Sequence, residues 1–176
     1  MTQQTVSEFL DSLRPSSEEE RRARIDQLIE SISTSTDHFE MSSYLDITDE
    51  VPYDEHADTT WDERWNLPLE SFSNACGTTL CLAGWATVHA LPKYYPDPGT
   101  QLVSLIPPLE VDENTESYRY FDIGCAWLGL MEYEANRLFY ATHMDRDQAV
   151  DVLRTLRETS IVDIPPITTQ QECADD

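Results

Sequence analysis

The fold turns on the stretch Cys76-Gly77-Thr78-Thr79-Leu80-Cys81-Leu82-Ala83-Gly84-Trp85-Ala86-Thr87-Val88-His89-Ala90-Leu91. From Leu80 onward its apolar residues occupy every side of a helical wheel, which is the pattern of a helix surrounded by protein. The spacing predicts a buried helix over about 79–91, with Thr78 or Thr79 capping its first turn and Pro92 ending it. Gly77, Ala83, Gly84 and Ala86 keep parts of its surface thin, so a neighbouring helix can approach closely.

Upstream, Val6, Phe9, Leu10 and Leu13 stand at helical spacing before Arg14-Pro15 stops the segment. Ser16 or Ser17 can cap a second helix to about Ser33, with Glu18, Glu19 and Glu20 at the positive end of its dipole and Ile25, Leu28, Ile29 and Ile32 as its stripe. Downstream, residues 92–116 are punctuated by prolines and read as an irregular crossover, with 102–106 as an isolated strand or extended arm. Helix is expected again over 118–130, with Phe121, Cys125 and Leu128 on one stripe and Trp127 beside it. A turn at Gly129 leads to a helix over 132–141, where Ala135, Leu138 and Phe139 face inward. The last helix is capped by Asp145 and sets Ala149, Val152, Leu153 and Leu156 inward before ending near Glu158.

These elements predict a mainly α fold, a single compact helical domain around a buried central helix. Residues 1–34 carry the N-terminal helices, 35–164 the core with its C-terminal helices over about 118–158, and 165–176 a flexible tail. The irregular acidic segment from Thr34 to about Asn74 is too long to lack structure in a compact domain and leaves room for short helices or one short hairpin. No period of about 20–50 residues recurs, which argues against a repeat array.

The 176 residues hold 34 acids against 11 bases, a formal net charge of −23, with Lys93 as the sole lysine. Direct nucleic-acid binding is excluded on this ground, because Arg21, Arg22 and Arg24 sit among glutamates and no basic cluster offsets the repulsion from phosphate. Three readings of the acidity remain: a solvated surface without a partner, adaptation to a salty cytoplasm, or imitation of nucleic acid. No apolar run reaches the length of a membrane span, and the first residues carry no secretory signal, so a cytoplasmic protein is expected.

Cys76 or Cys81 at a helix start could be a nucleophile, since N–H groups and the dipole favour a thiolate. His89 cannot be its base from the same helix, because eight residues at about 1.5 Å rise place it roughly 12 Å along the axis from Cys81. Cys76, Cys81, Cys125 and His89 are candidate metal ligands, although no second pair completes a tetrahedral set. The simpler reading makes these cysteines buried structural residues, with no disulfide in a reducing cytoplasm. Clusters at Asp54-Glu55-His56 with Asp58 and at Asp37-His38 with Glu40 match no metal-loop spacing, and no cofactor fingerprint is present. Trp61, Trp65 and Tyr53 read as core or as a partner-binding patch.

Four pieces carry a resemblance: His38-Phe39-Glu40-Met41-Ser42-Ser43-Tyr44; the 76–86 stretch; Ala126-Trp127-Leu128-Gly129-Leu130 with Glu134-Ala135 and Leu138-Phe139-Tyr140; and 149–159. In this order they resemble a family of small phage- and prophage-associated proteins, chiefly through Cys-Gly-Thr-x-x-Cys-x-Ala-Gly-Trp. The resemblance implies a viral or mobile-element origin, but no particular activity or catalytic residue, and the acidity fits a halophilic host. The expectation is an accessory or interaction protein with an unidentified protein partner. In that reading Cys76, Gly77, Thr78, Cys81, Gly84, Trp85, Trp127 and Gly129 are structural. A cysteine-dependent hydrolase and an acidic DNA mimic are the alternatives.

Overall fold

Local capping chemistry starts the helices in the computed structural model, which describes residues 5–34, 39, 41, 46–47, 67–74, 78–97, 101–107 and 115–166. Helix α1 (Val6–Ser12) opens with Thr5 Oγ1 accepting the Glu8 N–H while the Glu8 carboxylate accepts the Thr5 N–H. Helix α2 (Glu18–Thr34) follows Pro15, with Ser17 Oγ accepting the Glu20 N–H. Ser16 donates from its hydroxyl and backbone to the Glu20 carboxylate and, with Arg24, holds the Glu20 carboxyl down at about 2. Ile25, Leu28 and Ile32 are buried, as the spacing predicted.

Helix α3 (Leu82–Ala90) differs from expectation at its start. Thr78 and Thr79 do not cap it. They form β2 (Thr78–Thr79), antiparallel to β1 (Asp46–Ile47), and Leu80 bridges to Phe39. Threonine's branched Cβ suits an extended chain better than a first helical turn. Cys81 becomes the N-cap, without a side-chain capping hydrogen bond. Every residue from Leu82 to Val88 is buried.

The proline-rich crossover is also more regular than expected. The strand expected to be isolated is β4 (Leu102–Ser104), the centre of an antiparallel sheet between β3 (Tyr95–Pro96) and β5 (Ser117–Arg119). Tyr118, expected to be helical, therefore lies in a strand opposite Val103. Helix α4 (Tyr120–Trp127) begins two residues later. Phe9 of α1 lies against this sheet, its ring 4.3 Å from Tyr118 and 6.2 Å from Tyr94.

Helix α5 (Glu132–Phe139) buries Ala135, Leu138 and Phe139. Helix α6 (Arg146–Thr159) opens on the expected Asp145 cap, which exchanges hydrogen bonds with Gln148, and closes at Ser160 in a left-handed conformation. A 3-10 helix (Leu69–Asn74) is the one regular piece described between β1 and β2. Tyr53, Trp61, Trp65, His38, His56 and the tail beyond residue 166 lie outside the described residues.

The protein is mostly helical, with one apolar cluster joining α2 through α6. Helices α3 and α4 pack closely where a Cβ on Gly124 would fall 3.0 Å from Phe139 Cζ and 3.4 Å from Ala83 Cα. Gly129 has φ +64°, and a Cβ there would lie 2.9 Å from Pro15 Cγ. The turn after α4 thus needs glycine both for its backbone and for its fit against the start of α2.

Candidate interaction face

The cysteine that sequence placed at the helix start is the wrong environment for a thiolate. Cys81 is 2% exposed, and burial pushes its thiol up to about 11 although the N–H groups of Gly84 and Ala83 oppose the shift. Tyr120 is buried beside it, its hydroxyl raised by burial and by Cys81. Cys125 is partly buried, donates to the Leu130 carbonyl at 3.2 Å, and is likewise raised by burial. Both are free thiols. Cys76 and Gly77 lie outside the described residues.

His89 is brought to none of these sulfurs by any described hydrogen bond; its partners are on α2. Gln27 Nε2 donates to its Nδ1 at 2.9 Å, which leaves the ring proton on Nε2, 2.8 Å from Ser31 Oγ. The ring stacks between Trp85 and Trp127, at 6.3 and 5.7 Å, and burial lowers its basicity. Arg24 covers Trp127, 5.6 Å from the ring centroid. Among the described residues no three His, Cys, Asp or Glu side chains group as metal ligands, and no helix is long and apolar enough to cross a membrane.

An open cleft of about 270 Å³ lies between the end of α2 and the start of α6, lined by Ser33, Arg146, Asp147, Val150, Asp151 and Arg154. Its two arginines are already paired, Arg146 with Asp147 and Arg154 with Asp151.

The outer face of α5 is different. Glu134 turns back to accept the Met131 N–H at 2.8 Å, closing the first turn, and Asn136 Nδ2 donates to the Glu132 carbonyl. With Ala135, Leu138 and Phe139 directed inward, Tyr133, Arg137 and Tyr140 recur at i, i+4 and i+7 along the opposite side. Met131, Tyr133 and Tyr140 are 60%, 64% and 54% exposed. Tyr140 is braced from below by Phe121, the rings 5.6 Å apart and nearly parallel. Every described base except Arg137 lies within 4 Å of a carboxylate. Glu134, three residues before Arg137 and the natural partner for it, is held by its cap.

Neither a protein-family model, nor a curated protein, nor a solved structure matches this chain. The α5 face is a feature that sequence reading passed over. Its signal was present in the spacing of Tyr133, Arg137 and Tyr140 opposite the inward stripe, but the isolation of Arg137 emerges only once all other bases are placed.

Proposed function

We propose that this chain is an accessory protein-interaction module of a virus or mobile element in a salt-rich host, meeting another protein through the outer face of α5. The observation that carries the reading is Arg137, without a carboxylate partner among the described residues and set between two exposed tyrosines. Tyrosine and arginine are the side chains that dominate binding energy in protein interfaces, and an apolar group this exposed gains from being covered. The resemblance to phage-associated proteins and the net charge of −23 support the setting. The burial of Cys81 and its raised thiol weigh against a hydrolase built on that residue.

Photo-crosslinking tests this. A chain carrying Tyr133→benzoylphenylalanine is expected to give one dominant adduct with a different protein in host extract, and Tyr140→Ala with Arg137→Ala in the same chain should abolish it. The same adducts from a probe at Arg154, on α6, would overturn the reading.

A further inference from the structure

Tyr133, Asn136, Arg137 and Tyr140 are all exposed and stand at i, i+3, i+4 and i+7, so they form one patch on the surface of α5. At a rise of about 1.5 Å per residue, one ring lies roughly 6 Å before Arg137 along the axis and the other roughly 4.5 Å after it. Asn136 already gives its Nδ2 to the Glu132 carbonyl, which leaves Oδ1 to accept from outside. The acids of the helix do not answer Arg137. Glu132 and Glu134 lie about 100° around the axis from Tyr133, one on each side, and Glu134 is bound to the Met131 N–H.

We infer that the group this face takes is a carboxylate of the partner protein, seated on Arg137 with apolar side chains on Tyr133 and Tyr140 to either side. A partner that covers the two rings also strips water from the guanidinium between them, and a buried unpaired cation is costly. The covering surface must therefore bring the acceptor, since among the described residues the chain supplies no carboxylate to Arg137. A carboxylate matches the guanidinium fork with two parallel hydrogen bonds and cancels its charge. A run of phosphodiesters would match the fork too, but its charge is repelled by a chain at −23, whereas a lone carboxylate adds a single charge. The rings then exclude water from the pair and strengthen it, and Tyr140, stacked on Phe121, loses little freedom in doing so. The inference rests on the reading of α5 as a binding face and adds the chemistry of what it binds.

The test uses the protein trapped by the Tyr133 probe, purified, with the full chain. Arg137→Lys puts an amine at the patch, and a carbodiimide then joins it to any carboxylate seated there. Peptide mapping is expected to find position 137 joined to an Asp or Glu of that protein, with the native Lys93–Glu70 pair coupling in every sample as a control. Arg137→Glu should weaken binding by at least about tenfold, and Arg154→Glu, equal in charge change but on α6, should leave it near wild type. Arg137 is exposed, so these variants should melt with the wild type. Binding should persist from about 0.1 to about 1 M KCl, because a short desolvated pair is screened far less than a long-range attraction. Three results would each overturn the carboxylate while leaving α5 as the binding face: equal weakening by Arg137→Glu and Arg154→Glu, loss of binding at high salt, or no coupling from position 137. A Tyr133 probe that traps no protein, or traps only a second copy of this chain, sinks the proposed function instead.

Discussion

His89 shows how one side chain acquires a pH dependence from its packing. Its ring lies between Trp85 and Trp127, bonded through both nitrogens to Gln27 and Ser31, and burial disfavours its cation. The charge nearest along the stack is also positive, Arg24 on Trp127, with Glu20 paired to it. The unfolded chain protonates this histidine near its ordinary value of about 6.5, while the folded chain does so only at lower pH. Stability is thus at its plateau above about pH 6.5 and falls as the pH drops through that value, levelling once the folded form also protonates. Glu20 behaves as a carboxylate held low, at about 2, so its contribution is lost separately, as pH falls from about 4.5 toward 2. Urea unfolding from pH 8 to 4 at fixed ionic strength should show the upper step, and His89→Gln should remove it while the lower decline persists. An upper step unchanged in His89→Gln would assign it to another group. Sequence alone excluded His89 as a base for Cys81 by helix geometry, but its actual partners, on a helix 58 and 62 residues away in sequence, were not legible.

At the scale of elements, α2 anchors the ends of three other helices through two arginines. Arg21, 8% exposed, donates from Nε to the Leu128 carbonyl and from Nη1 to Ser160 Oγ, both at 3.0 Å, at the C-termini of α4 and α6. Arg24 donates to the carbonyls of Leu13 and Trp127, at 2.5 and 2.8 Å, closing α1 and α4. Positive charge at helix C-termini is favourable to the dipole, and these carbonyls lack partners within their own helices. Arg21→Lys keeps the charge but loses the fork, and is expected to cost about 2–4 kcal/mol, or roughly 5–15 °C in melting temperature for a chain of this size. Arg22→Lys, whose partner Glu18 is exposed, should cost under about 0.5 kcal/mol. Similar losses from both variants, read by thermal unfolding, would refute the anchoring role of Arg21. In the sequence these arginines show only as bases set among glutamates, because composition does not tell which face of a helix a charge occupies. What was legible followed from local physics: the Asp145 cap, the stripe of Ala149, Val152, Leu153 and Leu156, and the glycine turn at 129. Strands of two or three residues were not legible, since an alternating pattern needs more positions than β2, β3 or β5 provide.

For the molecule as a whole, charge is the dominant long-range term. Every described base but Arg137 already faces a carboxylate, and the excess of acids still leaves a formal charge of −23. Salt therefore weakens a few exposed ion pairs, each worth little, and relieves a repulsion summed over the entire surface. The second effect wins, because pair energies are local and the repulsion grows with every uncompensated acid. Raising KCl from about 0.1 to about 1 M shortens the screening length from roughly 10 to roughly 3 Å, so the melting temperature should climb steeply at first and then level off. Measured at a few micromolar, this rise belongs to the single chain. Sucrose, which acts through exclusion from the surface and not by screening, should give a rise that does not saturate in this way. A melting temperature flat in KCl would mean that the acids are spaced too far apart to repel, and with it the salt-rich host would lose its physical argument. A saturating rise would instead tie the charge of −23 to a salt-rich setting, because screening removes a repulsion that the folded chain otherwise carries over its whole surface.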